Sequence, residues 1–167
     1  MRSSLLRGAV VACALTSILP ARADNVTLSM GADNGFRDLT VLWQSAPLWR
    51  NQSHSLDVTL EGSLGRVSAT DSNALWHVGL TPLGRWWFTP TDALEAGIGA
   101  NLFSATRIAG KNISTAYQFG DSLGYVHRFA DTGWSTGLRF THYSNASIKR
   151  PNPGLNLFEL RISHAFN

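Results

Sequence analysis

Apolar and polar residues alternate along much of this chain. Over 55–65, Leu56, Val58, Leu60 and Leu64 share one parity, while Asp57, Thr59, Glu61 and Ser63 share the other. Over 92–104, Leu94, Ala96, Ile98, Ala100 and Leu102 oppose Glu95, Gly97, Gly99 and Asn101. Near the C-terminus, Phe158, Leu160, Ile162 and Phe166 oppose Glu159, Arg161 and Ser163. Successive side chains of a strand point to opposite faces, so a period of two predicts strands with one apolar and one polar face. The same reading predicts eight strands, at about 25–32, 37–46, 55–65, 75–88, 92–104, 114–128, 133–144 and 155–166. Turn chemistry separates them: Asp33-Asn34-Gly35, Pro47 with Asn51, Asp71-Ser72-Asn73, Thr89-Pro90-Thr91-Asp92, Ala109-Gly110-Lys111-Asn112, Asp131-Thr132-Gly133 and Pro151-Asn152-Pro153-Gly154. No internal repeat, low-complexity segment or interdomain linker interrupts the series.

Alternation alone does not say which face points outward. A soluble barrel buries its apolar face, and a membrane barrel turns it to lipid. Three features favour lipid. The strands, at about 10–14 residues, are long enough to cross a bilayer when tilted. Trp49, Trp76, Trp86, Trp87, Tyr125, Trp134 and Tyr143 lie near the inferred strand ends, where an interfacial girdle belongs. The polar face carries charges of both signs, which can pair across a narrow lumen. The last strand, with Phe166 one residue before the final Asn167, resembles the sorting signal of outer-membrane barrels, which usually ends on the aromatic itself. The expectation is an all-β, eight-stranded antiparallel transmembrane β-barrel. An even strand number leaves both termini on the periplasmic side. The end of the seventh strand and the start of the eighth then reach the outer leaflet.

The N-terminus stands apart from this pattern. Arg2 and Arg7 precede an apolar run from Ala9 to Leu19, and Ala21-Arg22-Ala23 fits a small-x-small cleavage site. This predicts a secretory signal over 1–23 and a mature barrel domain over 24–167. An apolar run of about 11 residues is too short to span about 30 Å of hydrocarbon as a helix. Val10-Val11-Ala12-Cys13 loosely fits a lipoprotein signal, but leaves too short an apolar stretch before the cysteine. Removal of 1–23 changes the charge reading. Three of the 14 basic residues leave with it, the 11 acidic residues all remain, and the mature chain is near neutrality. Charge therefore gives no support to nucleic-acid binding. The single cysteine leaves as well, so neither a disulfide nor a thiolate metal site is expected.

Candidate chemistry sits at the end of the seventh strand. By period two, His142 and Ser144 share the apolar, lipid-facing parity with Trp134, Thr136, Leu138 and Phe140. Same-face neighbours in a strand are about 6–7 Å apart, which two side chains can bridge. An imidazole accepting from the serine hydroxyl would activate it as a nucleophile. From spacing alone, the pair reads better as two groups solvated at a membrane interface. His54, His77, His127 and His164 share no ligand spacing and have no carboxylate cluster with them, so no metal is expected.

The stretch from Phe140 to Asn156 resembles the lipid A 3-O-deacylase family of the PagL type. His142-Tyr143-Ser144-Asn145-Ala146, followed by Lys149, Pro151-Asn152 and Gly154, carries the resemblance. It extends more loosely to Ala96-Gly97-Ile98-Gly99-Ala100 and Tyr117-Gln118-Phe119-Gly120-Asp121. The resemblance implies an eight-stranded outer-membrane barrel and a Ser-His-acid hydrolase facing lipid. That enzyme removes the primary acyl chain ester-linked at the 3-position of lipid A and needs no cofactor. By position, Ser144 is the nucleophile and His142 the general base. Asn145 and Asn152 support an oxyanion hole or position the loop. The family's acid falls fourteen residues after the histidine, where this chain has Asn156.

Glu159 is the nearest carboxylate to that position, and parity excludes it. With His142 opposite Asn156, even positions of both strands share the lipid face, and Glu159 points into the lumen with Arg139 and Arg161, where it reads as an ion-pair residue. Asn156 can accept from the imidazole and fix its tautomer, as asparagine does in Cys-His-Asn hydrolases, but offers no full charge. Lys149 and Arg150 could contact lipid A phosphates or be a solvated loop tip. Lipopolysaccharide is the expected partner, within the outer membrane, and a homodimer is left open. Two alternatives remain: a weak or inactive small outer-membrane barrel with a structural or lipid-binding role, and a soluble lipid-binding barrel.

Overall fold

The computed structural model describes residues 24–166, so the expected signal over 1–23 lies outside the described residues. Eight long strands form: β1 (Asn25–Asp33), β2 (Phe36–Gln44), β3 (Leu56–Ala69), β4 (Leu75–Trp87), β5 (Asp92–Phe103), β6 (Tyr117–Arg128), β7 (Trp134–Ser144) and β8 (Leu155–Ala165). Each is antiparallel to its neighbours in sequence, and β1 pairs with β8, which closes the sheet into a barrel. Six of the eight strands match the expected ranges to within two residues at each end. β3 runs four residues further, to Ala69, because Leu39, Asp38 and Arg37 of β2 continue to pair with Arg66, Val67 and Ser68. β6 starts three residues late, at Tyr117.

Local chemistry accounts for the turns. The β1–β2 hairpin turns on Asn34 (φ 46°) and Gly35 (φ 84°), the two positive angles that a two-residue hairpin turn requires. Pro47 interrupts the chain after β2, yet Trp49–Arg50 rejoins the sheet against Val58 and Asp57. Between β5 and β6, Arg107–Ile108 and Lys111–Asn112 form a small hairpin of their own.

The barrel is built inside out relative to a soluble one. Val26, Leu28, Met30, Val41, Leu80, Leu94, Leu123 and Phe158 face outward, the last two 63% exposed. Thr27, Ser29, Thr59, Glu61, Glu95, Arg139, Glu159 and Arg161 face the lumen and are buried. An apolar exterior round a polar interior suits hydrocarbon, so the barrel is a transmembrane one. Trp49, Trp76, Trp86, Trp134 and Tyr125 sit on the exterior, as an interfacial girdle requires. Trp87 and Tyr143 do not. Their odd parity turns them inward: Trp87 donates through Nε1 to Asp57 Oδ2 (2.8 Å), and Tyr143 joins a buried cluster.

The middle of the lumen is packed. Arg139 and Arg161 each bridge Glu61 and Glu95. Arg139 donates to Glu61 at 2.5 and 3.1 Å and to Glu95 at 2.6 and 3.0 Å, while Arg161 donates to Glu61 at 2.7 Å and also to Glu95. Glu159 is in the lumen, as expected, but not as an ion-pair residue. Its carboxylate accepts from Ser29 Oγ (2.8 Å) and Thr141 Oγ1 (2.6 Å), since the two glutamates across the barrel take the arginines. A void of only about 30 Å³ remains beside Glu61, Arg139 and Glu159. Phe36, Val67, Leu75, Phe103, Ile108, Ile113, Tyr143, Leu155 and Leu157 seal the end where β7 finishes and β8 begins. A cavity of about 470 Å³, lined by Asn25, Gln44, Arg85, Glu95 and Arg161, opens at the opposite end.

Candidate active site

β7 and β8 pair with His142 opposite Asn156, the register the hairpin reading assumed. Both side chains are therefore on the outer wall, half-buried. His142 Nδ1 lies 2.6 Å from Asn156 Oδ1. An amide oxygen only accepts, so the ring nitrogen must carry the proton. The imidazole is held in the tautomer that leaves Nε2 as its free base.

Ser144 lies two residues further along the same face, also half-buried. Its Oγ is 3.5 Å from the Ala146 N–H. Among the described residues, no hydrogen bond joins Ser144 to the imidazole. The bridge that the spacing allows is not closed here. Catalytic hydrogen bonds are often long without substrate and tighten in the complex.

The chain after Ser144 reverses sharply. Ile148 N–H donates to Asn145 O (2.9 Å), and the two central residues, Ala146 (φ 50°) and Ser147 (φ 62°), are both left-handed. This is the pattern of a type I′ turn without the glycine it favours. Each such residue costs on the order of 1 kcal/mol or more, so other bonds must hold the turn. Asn145 supplies them. It is 1% exposed, and its Nδ2 donates to Ile113 O (3.2 Å) and Lys149 O (2.9 Å). Its backbone N–H donates to Asn152 Oδ1 (3.1 Å). Ser114 Oγ donates to Pro151 O (2.5 Å), and Lys111 Nζ to Gly154 O (3.1 Å). The 104–116 loop thus buttresses the 145–154 loop.

Of the two roles expected for Asn145, only positioning agrees with this geometry, because its amide nitrogen is spent on two carbonyls and is buried. The Asn152 amide nitrogen has no protein partner among the described residues. Lys149 and Arg150 are exposed in the loop beside the site.

Sequence reasoning missed three groups. Lys111, Ile113 and Ser114 act through or upon backbone carbonyls, which leave no side-chain signal. Gly154 (φ 64°) closes over the imidazole: a Cβ there would meet His142 Cε1 at 2.5 Å and Nε2 at 3.2 Å. Asp121 pairs in register with His142 from the β6 side. It was detectable as an acidic residue in the otherwise apolar outward row Tyr117, Phe119, Leu123, Tyr125.

Gly154→Ala forces a left-handed alanine into the ring's space. It is expected to lower turnover at least about tenfold, the scale set when misplacing a catalytic group by a fraction of an ångström. Kinetics on the purified barrel, with its heat-modifiable gel mobility as the folding control, checks this.

Known proteins resemble the chain as a whole. The chain is 34% identical to the lipid A deacylase PagL of Bordetella bronchiseptica, over 93% of this chain and 90% of that one. It is 43% identical to the lipid A deacylase PagL of Pseudomonas aeruginosa over 40% of this chain and 38% of that one. A crystal structure of the outer membrane enzyme PagL superposes with a TM-score of 0.74 at 25% identity, covering 85% of this chain and 99% of that one. The Yersinia pestis outer membrane protein Ail shares the fold alone, at a TM-score of 0.51 and 11% identity over 86% of this chain and 99% of that one. The pattern of the family described as "Lipid A 3-O-deacylase (PagL)" matches residues 35–165. Matched by this family over residues 35–165 and 34% identical to one of its lipid A deacylases over most of both chains, the protein belongs to the lipid A 3-O-deacylase (PagL) family.

Proposed function

We propose that this chain is a lipid A 3-O-deacylase of the outer membrane, working in the outer leaflet after cleavage of its signal segment at Ala23. The observation that carries the reading is the 2.6 Å contact from His142 Nδ1 to Asn156 Oδ1 on the apolar exterior, with Ser144 on the same face. Soluble chemistry has no use for such a pair facing hydrocarbon. A substrate embedded in the leaflet does. Below the pair the same wall presents Phe140 and Phe158, 5.0 Å apart between ring centroids, then Leu138 and Leu160. That strip suits an acyl chain.

The chemistry follows from the tautomer. Ser144 Oγ attacks the carbonyl carbon of the 3-O-acyl ester while its proton passes to His142 Nε2. The negative charge on the carbonyl oxygen would be met by the Ala146 N–H beside Ser144 and the amide nitrogen of Asn152. The intermediate collapses, and the sugar 3-oxygen leaves with the proton from Nε2. Water, activated by the same nitrogen, then attacks the acyl-serine. A 3-hydroxy fatty acid is released and Ser144 regains its proton. Asn145 holds the loop, and the exposed Lys149 and Arg150 would contact lipid A phosphates.

Asn156 keeps the ring in register for base catalysis. Asn156→Leu removes the acceptor and is expected to lower turnover at least about 100-fold, whereas Asn156→Asp keeps it, since a triad orienter acts largely by fixing the tautomer. Release of 3-hydroxy fatty acid from lipid A by the purified protein in detergent tests both. An inactive wild type would favour the reading as an inert barrel, which only the amide at 156 supports. Complete loss in Asn156→Asp would remove Asn156 from the mechanism.

A further inference from the structure

The end of the barrel away from Ser144, which carries both termini, gathers arginines. Arg50 pairs in register with Asp57, and Asp57 with Arg85, so the three side chains form one row on the lumen face. Arg128, the last residue of β6, stacks on Trp87. Its Cζ is 3.7 Å from the centre of that ring, and Arg85 Cζ is 5.6 Å from the same centre. Arg50, Arg85 and Arg128 all line the cavity of about 470 Å³ at this end. Among the described residues, only one carboxylate is bonded to them. Asp57 accepts from Arg85 Nε (2.9 Å) with one oxygen and from Trp87 Nε1 (2.8 Å) with the other. The buried Arg85 is bonded through Nε alone, and its two amino groups have no protein acceptor among the described residues. Arg50 and Arg128 form no salt bridge there. The other acids of the cavity do not answer them: Glu95 is held by Arg139 and Arg161, and the exposed Asp24 and Asp131 pair with no arginine among the described residues. Guanidinium groups keep their charge, so three of them round one carboxylate leave positive charge uncompensated.

We propose that Arg50, Arg85 and Arg128 form a binding site for a phosphate group at this mouth of the barrel. A guanidinium offers paired N–H donors in one plane, which match two oxygens of a phosphate. Asp57 holds Arg85, and the Trp87 ring holds Arg128, before any ligand arrives. Such preorganisation reduces the entropy lost on binding. A second cavity, about 420 Å³, continues from Arg50 and Arg128 past Trp87 to Phe88 and Thr89. Phe88 is exposed, and its ring lies 6.0 Å from that of Trp86 on the outer wall. A free phosphate in the aqueous space and a phospholipid headgroup in the adjoining leaflet therefore both have a route to the arginines. The site stands on charge and geometry of its own and does not depend on the roles of Ser144 and His142.

Isothermal titration of the folded barrel in a maltoside detergent tests this, with inorganic phosphate in one arm and monomeric dihexanoyl phosphatidylglycerol in the other. Low ionic strength keeps screening small. The wild type should bind saturably in at least one arm. Arg128→Gln should weaken that binding at least about tenfold, the scale of one charge-assisted hydrogen bond. Arg50→Gln with Arg128→Gln should abolish it. Both variants should keep the heat-modifiable gel mobility and the lipid A hydrolysis of the wild type, since neither residue is near Ser144. Saturation by inorganic phosphate identifies a free anion as the ligand, and saturation by the lipid alone identifies a headgroup. No saturable binding in either arm below about 10 mM, or equal affinity in wild type and double variant, would overturn the proposal and leave the arginines as a solvated rim.

Discussion

Ser144→Ala will lower lipid A deacylation at least about 10³-fold while leaving the barrel folded. The size follows from the role. Removing the nucleophile of a Ser-His hydrolase leaves only binding and oxyanion stabilisation, and such sites lose on the order of 10⁶-fold at the extreme. The residual rate sets how much the rest of the site contributes. Folding is unaffected because Ser144 is the last residue of β7, half-buried on the outer wall, and its hydroxyl makes only the 3.5 Å contact to Ala146 N–H. Initial rates of fatty acid release by purified wild type and variant give the ratio. A variant within tenfold of wild type would move the nucleophile elsewhere.

The second large effect is on stability. Arg139→Met will destabilise the folded barrel by about 3–5 kcal/mol, the range for breaking a buried ion pair by removing one partner. Arg139 touches both Glu61 and Glu95, and all three are buried. Without it, two buried carboxylates share Arg161, and the void beside Glu61 is only about 30 Å³, little more than one water. The loss comes mainly from uncompensated charge, so the neutral pair Glu61→Gln with Arg139→Met should cost less than Arg139→Met alone. Denaturant unfolding of the three proteins in the same detergent measures it. Equal losses in the single and the double variant would mean that the quartet is not energetically coupled.

Much of this molecule was legible in sequence because a membrane strand repeats every two residues. The β7–β8 register followed from assuming His142 opposite Asn156, and it put Glu159 in the lumen. What the period cannot carry is curvature. Glu61 and Arg161, 100 residues apart, meet only once the sheet closes, so Glu159 was expected to hold an arginine that Glu61 and Glu95 hold instead. Trp87 and Tyr143 lie near strand ends, as girdle residues do, and only their parity separates them from Trp86 and Trp134. The loop that shapes the site was least legible. Its bonds run from Asn145, Ser114 and Lys111 to backbone carbonyls, and carbonyls are the same in every residue. Asp121 fell between these cases: its parity was readable, but its partner required the β6–β7 register.

The roles proposed for the serine, the histidine and the amide require that the ester they meet is the one at the 3-position of lipid A. Tandem mass spectrometry of lipid A from cells producing the wild-type chain tests that directly. The account predicts loss of one 3-hydroxyacyl chain, with fragments that place the loss at the 3-position and every other acyl group intact. Lipid A that keeps its 3-O-acyl chain, or loses a chain from another position, would contradict it.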